Sequence, residues 1–429
     1  MRDAERSRTP LVPTGHGAHA YLGNPPPLGS KILSLARLRR VLRYEPGDFT
    51  VGVEAGLPLE ELAQVLDANG QEIPADPGSG GTAGGLVAAA QPGFRRGSLG
   101  PLRSWVIGMN AVRGGASTYK TGGMVVKNVA GYEVMKLLVG SFGTAGPILE
   151  VNFKLRPLPE RRLGGMASFA TRDDAWRAAS ALRDLRIDLA ALWLLSGSAP
   201  EDFARGAGES AGAACSVVWL LEGSSQRVAW QEAQIDAALR GGSVLGTRAL
   251  TGAGVDHLLS YFSAFASPGE APTDDLGIAR LCALPADAPT LEGRALAAFG
   301  PHDAFEAAAA TDVLCGIVTA RWRRHAPGSS DLGAEARGTV PSGHGLAGPL
   351  VDLRKAAEAA RGAATLVYLP PDLRREHRHA ISGVPNLELI QRLLTVLDPA
   401  GIFSPGRILG NEPLRAPLAN AHPPAAGST

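Results

Sequence analysis

Two short runs of this chain have the composition of an anion receptor. Gly15-x-Gly17-x-x-Ala20 and Gly78-x-Gly80-x-x-Ala83 each place glycines closely enough for successive backbone N–H groups to converge on an oxyanion without help from a lysine. Thr82 adds a hydroxyl donor to the second run, and Ser79 stands beside it. Both runs satisfy the loose dinucleotide-binding spacing, yet neither has the context of a Rossmann turn. The first leads into Pro25-Pro26-Pro27, which forbids the helix whose N-terminus would receive a pyrophosphate. The second opens a helix that Pro92-Gly93 soon stops, with no full βαβ unit around it. Taken singly, either run is also satisfied by a plain tight turn. Together with further glycine turns at Val126 to Tyr132 and Ser141 to Ile148, they fit a large extended cofactor whose diphosphate is gripped from two sides.

The elements that must carry these loops are legible nearby. Leu11-Val12 opens a short strand before the first run, and Phe49 to Ala55 reads as another. A helix follows with Pro58 near its first turn, Leu59, Leu62, Val65 and Leu66 on one face, and Gly70 as its closing residue. Val106 to Val112 and Ser117 to Thr121 read as strands joined through Gly114-Gly115. Leu149, Val151, Phe153 and Leu155 then alternate with Glu150, Asn152 and Lys154, the period of a half-buried strand, which Arg156 and Pro157 end.

Beyond about residue 160 the glycine loops stop. Helices are expected over Asp173 to Leu185, Gln226 to Leu239 and Leu350 to Ala360, and strands over Leu189 to Leu195, Cys215 to Glu222, Ile278 to Leu284, Val313 to Trp322 and Thr365 to Leu369. The pattern implies an α+β fold, an antiparallel sheet covered by helices. Pro327 to Gly348 reads as a mobile loop, Leu387 to Leu397 as a last helix, and the Pro/Ala-rich end as disordered. The expected organisation is residues 1–160, 161–385, a closing segment 386–410 and a tail 411–429.

At 429 residues the chain is long enough for more than one domain and a substantial core. A net charge of +1 offers no footprint for nucleic acid or an anionic membrane. The 3 cysteines, Cys215, Cys282 and Cys315, lie in apolar runs without CxxC spacing and read as reduced core residues of a cytoplasmic protein. The 9 histidines form no HxxxH or HExxH pair, so no protein-ligated metal is expected. No apolar run reaches the length of a membrane span, and no signal peptide opens the chain.

Several runs carry a family resemblance. Gly81-Thr82-Ala83-Gly84-Gly85-Leu86, Gly100-Pro101-Leu102-Arg103 leading to Val106-Ile107-Gly108, Gly122-Gly123, and Val126-Lys127-Asn128-Val129-Ala130-Gly131-Tyr132 resemble the PCMH-type FAD-binding domain of the vanillyl-alcohol-oxidase flavoproteins. The Lys127 to Tyr132 run, with Leu137 to Thr144 and Gly146, is similar in particular to the FAD-binding E subunits of bacterial glycolate oxidases. The likeness extends to Arg280 with Leu284 to Pro289, and to Asp398-Pro399 through Gly406-Arg407. It implies a PCMH-type FAD-binding domain followed by an α+β cap or substrate domain, with non-covalent FAD. The pyrophosphate would be clamped by Gly15, His16, Gly17, Ala18 and His19 and by Gly78, Gly81, Thr82, Ala83, Gly84, Gly85 and Leu86. Arg103, the turn Asn128, Val129, Ala130, Gly131 and Tyr132, and the segment from Gly143 to Ile148 would line the rest of the cofactor. The histidine that attaches flavin covalently in some relatives falls on Gly17 here, between His16 and His19. Little precedes the first strand, so the early helix common in relatives is not expected. Arg361-Gly362-Ala363-Ala364-Thr365 stands where the family often has Gly-Gly-His-Ala-Thr, which puts independent catalysis in question.

The resemblance also implies partners: a homologous flavin subunit and an iron–sulfur subunit of a glycolate oxidase complex, through which the chain could associate with a membrane. Oxidation of a small 2-hydroxy acid needs a base for the hydroxyl proton and a cation for the carboxylate. Arg407, Arg280 and Arg103 are the candidate cations, His344 is the most site-like histidine, and no catalytic residue is assigned. Two alternatives stand beside the complex subunit: a self-sufficient FAD-dependent hydroxy-acid or alcohol dehydrogenase, and a degenerate scaffold that binds no flavin.

Overall fold

The run that alternates most cleanly in the sequence forms the middle of a sheet. In the computed structural model, which describes residues 1–76, 80–124, 132–207, 212–269, 276–298, 305–324, 344–370, 374 and 386–408, Ile148, Val151 and Phe153 are buried while Glu150, Asn152 and Lys154 are half-exposed. The chain begins with a short helix α1 (Arg2–Ser7), contrary to the expectation that none precedes the first strand. Then come β1 (Leu11–Thr14) and β2 (Lys31–Ser34), paired in parallel. The first main sheet holds β3 (Val41–Glu45), β4 (Thr50–Glu54), β6 (Val106–Arg113), β7 (Ser117–Gly122) and β8 (Ile148–Lys154) in the order β3-β4-β8-β6-β7. Helices α2 (Leu59–Asp67), α3 (Ala83–Ala89), α4 (Arg96–Leu99) and α5 (Met135–Leu138) lie between its strands in sequence. Its core joins Val51, Val53, Phe153 and Met109 to Leu62 and Leu66 of α2, Val87 of α3 and Leu138 of α5. Full burial of each such side chain contributes about 1.5–3 kcal/mol, so α2 is held by packing and needs little from propensity. Arg156 and Pro157 do leave the alternating strand: they form β9 (Arg156–Pro157), paired with β5 (Gln71–Glu72).

The second sheet comprises β10 (Arg161–Phe169), β11 (Leu189–Gly197), β12 (Cys215–Gly223), β13 (Val244–Leu250), β14 (Leu276–Cys282), β15 (Phe305–Asp312), β16 (Ile317–Arg324) and β17 (Ala363–Tyr368). All its pairs are antiparallel, in the order β13-β10-β12-β11-β15-β16-β14-β17. Helices α6 (Arg172–Asp184), α8 (Ser225–Leu239), α10 (Ala288–Ala297) and α11 (His344–Ala359) contribute to the core on one face. On the other, α7 (Ala199–Gly206), α9 (Ala253–Phe265) and Phe94 do so. Burial on both faces explains why β11 and β12 read as continuous apolar runs instead of alternating ones. A last helix, α12 (Leu387–Leu397), packs Leu394 and Leu397 against the first core.

Three elements depart from the sequence reading for physical reasons. The expected strand Val313 to Trp322 begins only at Ile317, in β16, because residues 313–316 turn the chain back from β15: Asp312 Oδ1 accepts from the N–H of Leu314 (3.0 Å) and Cys315 (3.1 Å), and Gly316 takes φ +69°. The alanine-rich β15 has helical propensity, yet it lies between β11 and β16, where small side chains fit a crowded interior. In β10 a Cβ at Gly165 would stand 2.2 Å from the ring of Trp219, so a residue that looks like a strand breaker is a packing requirement. Most of the loop expected at Pro327 to Gly348 and all of the tail 411–429 lie outside the described residues, and α11 takes in the loop's last residues.

Buried charge ties the two sheets together. Arg95 donates to Asp76 (2.7 Å), Glu72 (2.9 Å) and Glu222 (2.9 Å), and Arg156 and Arg162 each reach both Glu72 and Glu222. Burial pushes the carboxyls of Glu72 and Glu222 upward, but the surrounding guanidinium charges outweigh it and hold both below their ordinary range.

Candidate functional site

β1 delivers the first glycine loop. Along Gly15, His16, Gly17, Ala18 and His19, no acceptor among the described residues lies within hydrogen-bond reach of the backbone N–H groups. The next amide, Ala20, donates to Gly17 O at 2.9 Å. Gly17 takes φ +81°, the left-handed conformation that lets neighbouring amides form a concave nest. A Cβ at Gly15 would stand 2.4 Å from Thr82 Oγ1, so the two loops are in contact and position 15 admits only glycine without movement of Thr82.

The second loop uses most of its amides internally, and only Gly81 and Thr82 have amides with no acceptor among the described residues. Gly80 N–H donates to Glu60 Oε1 (2.7 Å), Ala83 N–H to Leu57 O (2.9 Å) and Gly84 N–H to Ala55 O (2.7 Å). Gly85 N–H donates to Thr82 Oγ1 (3.3 Å) and Leu86 N–H to Thr82 O (2.8 Å), so Thr82 caps α3. A third segment, Gly140 to Ile148, is stitched to α3 by Gly140 N–H to Val87 O and Phe142 N–H to Ala88 O, both 3.0 Å.

These segments enclose a cavity of about 360 Å³. Of the residues singled out from the sequence, Gly15, His16, Gly17, Ala18, His19, Gly81, Thr82, Gly84, Gly85, Gly143 and Ile148 line it. Ala83 and Leu86 sit on α3 with their side chains in the first core instead. Arg103 is exposed in the turn before β6, Tyr132 is 94% exposed, and neither lines the cavity. Gly78, Asn128, Val129, Ala130 and Gly131 lie outside the described residues. The sequence reading missed Ile32 and Leu35, which wall the cavity from β2 and just beyond it. The three prolines before β2 masked that strand, although the Lys-Ile-Leu-Ser run was a usable signal.

Ala18 and His19 also line a larger cleft of about 1070 Å³, bounded by α2, residues 91–95 and the end of α9. Burial pushes the His19 imidazole below its ordinary 6.5, so it is neutral at pH 7. Beside the cleft, Arg280 is buried, donates to Gln91 Oε1 at 2.8 Å and leaves its Nε without a partner. Among the candidate cations, then, Arg280 flanks the cleft, Arg407 lines the glycine-loop cavity and Arg103 is apart from both. The His344 side chain lies outside the described residues.

FAD suits this site on the chemistry present. The cavity offers the unpartnered amides of Gly15 to His19 and one guanidinium, has no carboxylate among its lining residues, and has apolar walls at Ile32, Leu35, Ala89 and Phe142. It opens at His19 toward a cleft roomy enough for the remainder of an extended dinucleotide.

Comparison with known proteins agrees. Residues 1–122 match the FAD binding domain family. Glycolate oxidase subunit GlcE of Escherichia coli (strain K12) is 34% identical over 166 residues, 38% of this chain and 47% of that protein. Glycolate oxidase subunit GlcD of Bacillus subtilis (strain 168) is 31% identical over 175 residues, 40% of this chain and 37% of that protein. The matched stretch thus spans less than half the length of either curated relative. Among solved structures, p-cresol methylhydroxylase with substrate bound superposes with a TM-score of 0.68 at 15% identity, covering 95% of this chain and 85% of that one, a likeness of fold. Most of the glycine-loop cavity lies within the residues that match the FAD binding domain family, and the two together identify the chain as one that binds FAD.

Proposed function

We propose that this chain is the FAD-holding subunit of an enzyme complex that oxidises a short 2-hydroxy acid such as glycolate. The observation that carries the reading is the pairing of an amide-lined, carboxylate-free cavity with a larger cleft that meets it at His19. The similarity to glycolate oxidase subunits supports the substrate class and a homologous flavin subunit as partner. The iron–sulfur partner is inferred from the family resemblance. What FAD supplies when bound is a two-electron acceptor for the substrate's carbon–hydrogen bond. The chain's own residues hold the diphosphate at Gly15 to His19, bind the rest of the dinucleotide without a covalent bond, and keep a neutral imidazole at the junction of cavity and cleft. Arg280 is the cation best placed to draw a carboxylate toward the cleft, because burial leaves its guanidinium short of partners. No helix among the described residues is long and apolar enough to cross a membrane.

The test is direct. Purified protein should be yellow, with a flavin band near about 450 nm, and acid denaturation should release all of the flavin. Glycolate-dependent dye reduction should require the partner subunits. Full activity from the isolated chain would replace the subunit reading with a self-sufficient dehydrogenase, and a colourless protein that takes up no FAD would leave a scaffold.

A further inference from the structure

The last described segment of the chain returns to the glycine-loop cavity. Leu11 of β1 bridges Phe403 in parallel, Leu11 N–H donates to Ile402 O at 2.7 Å, and Ser404 N–H donates to Leu11 O at 2.8 Å. Asn24, just past the first glycine loop, is fastened twice: its N–H donates to Arg407 O (2.8 Å) and its Nδ2 to Gly406 O (2.9 Å). Gly23 must be glycine there, since a Cβ would stand 2.6 Å from Arg407 O and its φ is +72°. The segment is therefore built against the loop that carries the free amides.

Arg407 is more than 90% buried and lines the cavity, the sole arginine or lysine among its lining residues. Its guanidinium has one hydrogen bond, from Nη2 to Ala20 O at 2.9 Å, and no ion pair to any carboxylate among the described residues. A charge that acts on it is another guanidinium, Arg374, which donates to Tyr21 O and Gly23 O. Burial and that like charge pull Arg407 down to about 10, leaving it still protonated at neutral pH. A second group in the segment is also unsatisfied. Ser404 is wholly buried with a left-handed backbone (φ 42°), and its Oγ has no hydrogen-bond partner; it lies 3.2 Å from where a Cβ of Gly143, a cavity residue, would be. Two crowded guanidiniums, with no acid paired to Arg407 among the described residues, describe a site that an anion would complete.

We propose that Arg407 is a ligand of the cofactor's diphosphate, supplied by the C-terminal segment to complete the charge of a nest whose other donors are uncharged amides. This inference rests on the FAD reading above. It separates Arg407 from the substrate-carboxylate role that its residue type alone would also allow. It also makes docking of the C-terminal segment and retention of FAD one coupled event, because the strand contacts at Leu11 and the charge at Arg407 arrive together.

The experiment titrates FAD, ADP and riboflavin into full-length apoprotein of the wild type, Arg407→Gln and Arg407→Lys, at rising KCl, with flavin fluorescence and calorimetry as readouts. ADP carries the diphosphate without the flavin, and riboflavin the flavin without phosphate. Loss of one charged hydrogen-bonding partner predicts FAD and ADP affinities about tenfold to hundredfold weaker in Arg407→Gln. Riboflavin binding should be unchanged, the salt dependence of FAD binding shallower, and Arg407→Lys within about threefold of wild type. Unchanged FAD and ADP affinity in Arg407→Gln overturns the proposal. So does a loss with unaltered salt dependence that lysine fails to rescue, which would make Arg407 a strut for Ala20. Wild-type protein that binds neither FAD nor ADP instead overturns the FAD reading itself, a result distinct from either.

Discussion

The two glycine loops are spelled alike, G-x-G-x-x-A, and the structure uses them in opposite ways. In the first, five consecutive amides from Gly15 to His19 have no acceptor among the described residues, and the loop packs loosely enough that a Cβ at Gly17 would meet nothing closer than Thr14 Cγ2 at 4.0 Å. In the second, Gly80 and Ala83 to Leu86 have their amides taken, leaving only those of Gly81 and Thr82, and a Cβ at Gly84 would stand 2.7 Å from Ala55 Cβ. The first loop is a receptor held open; the second is a packing element that gives the receptor a wall. A glycine motif thus reports either backbone donors aimed at a ligand or close approach of one element to another, and the spelling alone does not separate them. Substitutions can, because a receptor loses ligand affinity while a wall loses stability in the apoprotein.

The largest effect belongs to the anchor of the second loop. Asp76, which immediately precedes the loop, is gripped by Arg95, and Arg95 is in turn held by Glu222. Glu222→Gln leaves three arginines facing two carboxylates in a buried cluster, and it should destabilise the apoprotein by about 3 kcal/mol at pH 7, read by urea unfolding. The sign with pH follows from the depressed carboxyls. Their contribution is present above the ordinary glutamate value of 4.5 and is lost as pH falls through the lower folded value. Wild-type protein should therefore lose stability in acid more steeply than Glu222→Gln, and parallel acid curves would show that the cluster does not anchor the loop.

Next comes a matched pair of glycine substitutions. Gly84→Val should destabilise the apoprotein by about 1–3 kcal/mol through overpacking against Ala55. Gly15→Ala should instead weaken FAD binding by about tenfold to hundredfold, since it displaces Thr82 at the point where the loops touch. The contrast breaks if Gly84→Val leaves unfolding unchanged and only the FAD titration moves, or if Gly15→Ala does the reverse. Gly17→Ala is milder. Space is open there, so the penalty is about 1–2 kcal/mol for a left-handed residue bearing a Cβ, again visible in apoprotein unfolding.

How far the sequence revealed this arrangement depends on the range of the interaction. The strand Ile148–Lys154, the helix Leu59–Asp67 and both glycine loops are local patterns, and periodicity or turn chemistry made them readable. The opposite uses of the two loops were not readable, because they depend on whether Ala55 and Leu57 from a neighbouring segment occupy the amides. Arg407 was visible as a cation but not as a cavity residue, since its partner Ala20 is 387 positions away. The strand Phe305–Asp312 was hidden by its own alanines, whose helical propensity gives way to burial between two strands. Neither a distant acceptor nor a crowded interior leaves a trace in local composition.

The smallest effect distinguishes the two histidines of the first loop. His16 is exposed while His19 is largely enclosed where the loops meet, with its ring close to Gly81 and Gly85. Because burial depresses the His19 imidazole, the unfolded chain takes up its proton more readily, and apoprotein stability should fall as pH drops below 6.5. A bound diphosphate reverses that preference by favouring the imidazolium beside it. FAD affinity should therefore rise by about two- to fivefold between pH 7.5 and pH 5.5, the opposite sign to apoprotein stability. His19→Asn should flatten the pH dependence of FAD titrations, and His16→Ala should leave it intact. If His16→Ala flattens it and His19→Asn does not, the proton belongs to the exposed side of the loop, and the nest faces the diphosphate from a different direction than the cavity implies.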